Sequence, residues 1–333
     1  MPQIKPHLKN LYRIKFGEKT RKNCLRLDMN EGVIGLPKKL IREALSKADT
    51  DLISAYPEYC ILEKKIARHN NLKPENICLA NGSDAAIKYI FDAYISDGDK
   101  VLFTDPTFAM YPIYCSMFNA LPVVIEYNAD LSFPLKRFYD SISRDIKMAI
   151  IVNPNNPTGS VLNQSELIKI IRRARKYQVI FLVDEAYFYF YPLSVIKEVK
   201  KFDNLIVLRT FSKFCGMAGL RLGYVAASTQ IIENLRRVKS TFDVSSFSVL
   251  IGEKFMDTPK IINSLVKAYN RGKDYLITKL QQEGIEYRDG HANFVLIKCF
   301  DKVGEIVSRL ARRNILVNGN FRQSFLKDYL RVT

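Results

Sequence analysis

At 333 residues, 47% of them hydrophobic, the chain is long enough to bury a sizeable core and is expected to form one large domain plus a smaller one. Its net charge of +17 would suit a polyanion if clustered, but the basic pairs Lys38-Lys39, Lys64-Lys65, Arg172-Arg173 and Arg236-Arg237 are spread over helix-like segments, with no nucleic-acid module among them. Nucleic acid is therefore not an expected partner, while the surplus charge favours anionic small molecules through long-range attraction.

In chain order, Met1 to Asn10 carries charges and a proline where an export signal would need an apolar core. No later apolar run reaches the ~20 residues of a membrane span, so the cytoplasm is the expected location and no membrane contact is expected. Strand-like runs are predicted at 77–80, 100–104, 122–127, 148–152, 179–183, 205–208 and 224–227. Helix-like runs alternate with them at 84–94, at 165–177 with Ser165 as the N-cap, and from Ile231 onward. That alternation predicts an α/β class with a parallel or mostly parallel sheet covered by helices. After about Ser245 the pattern changes to two long helical segments followed by strands at 293–297 and 314–317, which reads as a smaller α+β unit. The six cysteines form no CxxC pair and read as reduced thiols, and His7, His69 and His291 lack ligand spacing, so no metal site is expected.

Three blocks carry chemistry. Asn153-Pro154-Asn155-Asn156-Pro157-Thr158-Gly159 and Asp184-Glu185-Ala186-Tyr187 each follow an apolar run. Thr210-Phe211-Ser212-Lys213 follows a third, and Arg221 comes eight residues later in Gly219-Leu220-Arg221-Leu222-Gly223. An amine at a strand end, flanked by hydroxyls and an arginine, suits a covalently held, phosphate-bearing aldehyde. Taken together and in this order, the blocks resemble those of the class I/II (fold type I) aminotransferases, which use pyridoxal 5′-phosphate (PLP), and are most similar to the histidinol-phosphate aminotransferase branch.

The resemblance implies a mostly parallel mixed sheet sandwiched by helices in a large PLP-binding domain, 45–245. It also implies a smaller α+β domain built from both termini, 1–44 and 246–333. Relatives usually continue for another helix beyond the strand-like Leu330-Arg331-Val332-Thr333, so the chain reads as truncated, naturally or artificially. Lys213 is the candidate to form a Schiff base with the cofactor aldehyde and to move protons at the substrate α-carbon, since PLP chemistry needs an amine for both jobs. Asp184 is the candidate to keep the ring nitrogen protonated. A charge pair at ~3 Å and an effective dielectric of ~20 is worth about 5 kcal/mol, and half of that after desolvation still raises the ring pKa by about 2 units.

Tyr187 and Asn156 are the implied partners of the cofactor's phenolic oxygen. For the phosphate, Gly82, Ser83 and Asp84 stand at a strand-to-helix junction whose amide hydrogens and dipole attract anions. The dipole contributes at most about 2 kcal/mol, so Arg221 is expected to share the load, with Thr210 and Ser212 as hydroxyl donors. Ala85 stands where relatives commonly show glutamate. Tyr111 matches the aromatic that covers the ring. Tyr56, in Ala55-Tyr56-Pro57-Glu58, resembles the tyrosine that reaches the phosphate of a neighbouring subunit, which implies a homodimer.

For substrate, Arg331 resembles the arginine that grips an acidic group in two-point fashion, and Arg322 the second anion ligand of the branch. Asn30 lies in Leu27-Asp28-Met29-Asn30-Glu31-Gly32, which resembles the branch's NEN block but ends in glycine; a Tyr-x-Pro-Gly-Glu stretch survives only as Phe16-Gly17-Glu18. These departures leave the substrate open. The expected activity is transfer of an amino group between glutamate/2-oxoglutarate and a small phosphorylated amine or amino acid, such as histidinol phosphate or serinol phosphate. The alternative is decarboxylation of an O-phosphorylated threonine or serine, which the same fold and cofactor serve. A basic nucleic-acid-binding regulator that kept the fold would have no need of Lys213.

Overall fold

Side chains on successive residues of a strand point to opposite faces, so a run that is apolar at every position needs cover on both. The computed structural model describes residues 2–9, 11, 21–32, 34–319 and 321–333; the Phe16-Gly17-Glu18 stretch lies outside them. Its strands are β1 (Leu25–Leu27), β2 (Ile77–Asn81), β3 (Lys100–Asp105), β4 (Leu121–Glu126), β5 (Ile146–Val152), β6 (Ile180–Asp184), β7 (Leu205–Thr210), β8 (Leu222–Ala227), β9 (Tyr287–Asp289), β10 (Val295–Lys298), β11 (Ile315–Val317) and β12 (Tyr329–Val332). The helices are α1 (Lys38–Leu45), α2 (Asp51–Ser54), α3 (Cys60–His69), α4 (Gly82–Tyr94), α5 (Met110–Met117), α6 (Leu135–Asp140), α7 (Gln164–Lys176), α8 (Thr229–Val238), α9 (Ser246–Met256), α10 (Lys260–Gln282) and α11 (Val303–Arg312).

The seven predicted strands form one sheet in the order β2-β8-β7-β6-β5-β3-β4, in which only β8 runs against the rest. Alternate residues feed two cores. Phe181, Val183, Leu205 and Val207 face the helices α1, α3, α7 and α9. Leu182, Ile206 and Leu208 face α4, α5 and α8 on the other side. Burying a side chain of this kind contributes roughly 1.5 to 3 kcal/mol, so the central strands make a rigid base whose C-terminal ends can hold chemistry in place.

Two local expectations are corrected. The cap of α7 is Asn163, whose side chain accepts from the Glu166 N–H while Glu166 reaches back to the Asn163 N–H; Ser165 donates its hydroxyl to the Asn163 side chain. That spacing is a capping box, and it satisfies two otherwise free amides at once. The helical run expected from Ile231 onward ends at Val238, and a new helix starts only after Ser245, whose hydroxyl accepts from the Ser248 N–H. Between them Val244 is buried and its backbone is clamped at both N–H and C=O by the Tyr59 hydroxyl.

The segment around β1 joins the C-terminal strands. β1 pairs in parallel with β11, and β10 lies between β9 and β12 in an antiparallel sheet. The Thr333 N–H donates to the Leu27 carbonyl. Helix α9 contributes Val249, Ile251 and Phe255 to the same core as the sheet. Among the described residues no helix is long and apolar enough to cross a membrane.

Candidate active site

The register of the parallel strands brings the three sequence blocks together. Val152 is opposite Asp184, and Asp184 opposite Leu208, so the segments that follow β5, β6 and β7 emerge side by side at the C-terminal edge of the sheet. Clefts at that edge are where open α/β sheets bind ligands.

Lys213 donates its amine to the Met29 carbonyl at 3.0 Å. Burial lowers its pKa to about 8, helped by the charges of Arg331 and Arg221 and opposed by those of Glu31 and Asp184. Asp184 is shifted the other way, up to about 6, because its desolvation outweighs the hydrogen bonds that favour its charge. Those bonds come from the Tyr111 hydroxyl at 2.7 Å and the Ala186 N–H at 3.0 Å. The site thus holds an amine that loses its proton far more readily than an ordinary lysine and an anion buried among neutral donors, a setting that favours a cation beside the carboxylate.

Tyr111 stands against Asp184. It is fully buried, its hydroxyl is spent on Asp184, and the same burial drives its own pKa up. Phe108, three residues earlier, is only partly buried and stands edge-on to Tyr111 with ring centroids 6.1 Å apart.

A second group of polar side chains meets beside Lys213. The Tyr187 hydroxyl accepts from the Asn30 side-chain amide at 2.8 Å, and the Asn293 amide donates to the Asn30 carbonyl. Burial pushes Tyr187 up to about 12 despite the opposing charge of Arg331. Arg331 itself is buried, gives one N–H to Asn156 Oδ1 at 2.6 Å and another to the Asp28 carbonyl, and lies over the Phe294 ring. Since Asn156 spends its oxygen on Arg331, its amide nitrogen remains as a donor. Arg331 Nε and Asn293 Oδ1 are buried without a hydrogen-bond partner among the described residues, and such atoms in a polar cleft call for a ligand.

The third group is a cradle for an anion. Helix α4 begins at Gly82 without a side-chain cap, so its first amide hydrogens are not consumed by one. The Asp84 carboxylate is held by the Tyr114 hydroxyl. Arg221 lies against Gly82 so closely that a Cβ there would come 2.5 Å from its Nη2, and the positive φ of Gly82 also excludes other residues. The same guanidinium donates to Ser212 Oγ at 3.3 Å, and Thr210 and Ser212 are hydrogen-bonded to each other.

Arg322 is exposed and its charge acts on Asp105. Tyr56 is 75% exposed and stacks on Phe242 with centroids 4.3 Å apart. Gly32, which ends the altered NEN block, has a physical cause: a Cβ there would sit 2.4 Å from Gly216 Cα and 2.9 Å from the Lys213 carbonyl.

Residues 22–333 match the model of the aminotransferase class I and II family. A histidinol-phosphate aminotransferase of Caldanaerobacter subterraneus subsp. tengcongensis is 35% identical over 92% of this chain and 88% of that protein. Among solved structures, the histidinol-phosphate aminotransferase of Sinorhizobium meliloti in complex with pyridoxal-5′-phosphate superimposes with a TM-score of 0.89 at 20% identity, covering 100% of this chain and 93% of that one. L-threonine-O-3-phosphate decarboxylase of Porphyromonas gingivalis shares the fold at a TM-score of 0.78 and 22% identity, covering 93% and 94%.

Proposed function

We propose, from the premise that this chain belongs to the aminotransferase class I and II family and is a PLP-dependent aminotransferase, that it moves an amino group between glutamate/2-oxoglutarate and a small phosphorylated amine, with histidinol phosphate the first candidate. The observation that carries the reading is the placement of Asp184, buried at the end of β6, and Lys213, partly buried just beyond the neighbouring β7, each displaced from its ordinary pKa and in opposite directions. When bound, PLP withdraws electrons from the substrate α-carbon and carries the amino group between the two halves of the reaction.

The chain's own residues fit the parts of that cofactor. The α4 N-terminus at Gly82, Ser83 and Asp84, with Thr210, Ser212 and Arg221, would take the phosphate. Asp184 would hold a proton on the ring nitrogen, Tyr187 and the Asn156 amide would donate to the phenolic oxygen, and Tyr111, hydrogen-bonded to Asp184, would cover the ring. Lys213 would bind the aldehyde carbon and carry a proton at the α-carbon. Arg331, with Asn30 bracing Tyr187 beside it, would seat the substrate carboxylate through its planar fork.

Arg331→Lys keeps the charge but cannot hold Asn156, the Asp28 carbonyl and a carboxylate together. Its KM for both glutamate and 2-oxoglutarate should rise by about 10- to 100-fold, the loss of one to two charge-assisted hydrogen bonds, with kcat changed less. Steady-state kinetics on both substrates check this.

A homodimer is supported by the exposed apolar group of Ile53, Tyr56, Phe242 and Phe247, a kind of surface that marks association sites; there Tyr56 would reach the phosphate of the second copy. The pairing of β1 with β11 supports a division into 1–44 with 246–333 and 45–245, although α9 shares the core of the large sheet. Action in the cytoplasm, on small soluble substrates, completes the proposal.

Incubating the PLP-loaded protein with 2-oxoglutarate and a panel of histidinol phosphate, serinol phosphate, O-phosphothreonine and O-phosphoserine should yield glutamate with a phosphorylated amine. Glutamate from none of them would refute the substrate reading. Carbon dioxide released without consumption of 2-oxoglutarate would move the chain to the decarboxylases.

A further inference from the structure

Asp184 and Glu185 are consecutive and point to opposite faces of the sheet. Asp184 meets Tyr111 on the pocket face; Glu185 meets Arg209 on the other, and both members of this ion pair are at most 3% exposed. Arg209 spends its fork on four segments. Nε and Nη2 lie 2.9 Å from Glu185 Oε2, Nη2 also donates to Ser194 Oγ at 2.8 Å, and Nη1 donates to Asn70 Oδ1 at 2.8 Å and to the Tyr224 hydroxyl. The guanidinium carbon lies over the Phe188 ring, 3.4 Å from its centroid. Glu185 accepts in addition from Ser194 Oγ and the Val195 N–H.

Glu185 opens, and Ser194 closes, the loop that carries Tyr187. A buried ion pair is seldom the cheapest way to fill a core, since apolar residues of similar volume hold a fold as well. Direction is what it adds: one rigid fork sets where the loop starts, where it ends and where Phe188 lies within it. Arg209 also stands four residues before Lys213, so the same group ties the end of β6 to the end of β7.

We propose that Arg209 is a positioning residue of the reaction: by clasping Glu185 and Ser194 it fixes the 185–194 loop, and through it the aim of Asp184 and Tyr187 relative to Lys213. The inference rests on the roles given to Asp184, Tyr187 and Lys213 under the proposed function. It does not depend on which phosphorylated amine is the substrate.

The test uses Arg209→Lys, which keeps the charge without the fork, and Glu185→Gln, which keeps the shape without the charge. Ile171→Val, in the core under α7, serves as a purely structural reference. Three readouts are taken: melting temperature, hydrogen exchange of amides 186–191 in the protein without PLP, and the pH midpoint of the visible absorption band of the PLP-loaded protein. In both clasp variants, exchange of the loop amides should quicken by about 10-fold relative to β5, and the absorption midpoint should move by about half a pH unit or more. Turnover should fall about 10-fold with KM for 2-oxoglutarate nearly constant, as a small misplacement of catalytic groups requires. Ile171→Val should lower the melting temperature alone.

Clasp variants that behave as Ile171→Val does, with loop exchange and midpoint unmoved, overturn the proposal. Should Arg209→Lys not fold, Glu185→Gln decides on the same readouts. Loop exchange and midpoint that move in a protein unable to transaminate any phosphorylated amine would leave the clasp standing and remove the substrate assignment instead.

Discussion

Lys213→Ala should leave turnover of the PLP-loaded protein at least about 10⁴-fold below the parent, the upper end of what one general acid/base supplies, because the covalent tether is lost with it. The size of the effect follows from the amine's surroundings. With a pKa of about 8, about a quarter of the amines are neutral at pH 7.5, against about a thousandth for an ordinary lysine. Only the neutral form attacks a carbonyl, so the parent should capture PLP faster as the pH rises toward 8 and then level off. The variant should bind PLP without a covalent bond, seen as a free-aldehyde absorption band that does not respond to pH in this range. Turnover within 10-fold of the parent would remove Lys213 from the chemistry.

Asp184→Asn should produce opposite results with and without cofactor. In the loaded enzyme it removes a charge pair worth about 5 kcal/mol before desolvation; half of that is nearly 10² in rate. In the protein without PLP, the folded-state pKa of about 6 lies above the ordinary aspartate value of 3.8. Between those pH values the folded protein holds a proton that the unfolded chain has released, so the Asp184 contribution to stability is greatest below pH 4 and falls as pH rises to 6. At pH 7 the cost approaches about 3 kcal/mol. Asparagine carries no such cost and can still accept from the Ala186 N–H. Without PLP, the variant should therefore melt higher than the parent at pH 7 and match it near pH 4. Adding PLP should then raise the melting temperature of the parent more than that of the variant. A variant that melts lower at pH 7, with the same change between pH 4 and 7 as the parent, would show that Asp184 is not held at a desolvation cost.

Most of the sheet could be read in advance because mostly apolar runs of four to six residues, separated by helix-length segments, have few other ways to bury themselves. The direction of β8 could not: an antiparallel strand buried on both sides has the same residue pattern as a parallel one. The cap at Asn163 was legible in its three-residue spacing to Glu166, but Ser165 has an equally good side chain and the spacing must be weighed against it. Lys213, Asp184, Arg221 and Arg331 were visible because each stands at or beside a strand end. The packing of Phe108 and Tyr111 was not legible, since they flank the start of α5, where three residues of helix decide which way each ring turns. Arg322 lies outside any regular element, so nothing in its neighbours fixed its direction. The Arg209 and Glu185 pair left no local trace, because each looks like an ordinary charged residue until the fold brings them together.

The contact of Gly32 with Gly216 leaves the N-terminal strap and the Lys213 loop touching through bare backbone. For anyone redesigning the substrate range, this junction is a fixed hinge-pin: a library that varies position 32 would fill with misassembled clones before it sampled new selectivity. Diversity is better introduced at Glu31, whose charge already reaches Lys213, leaving the crossing itself unaltered.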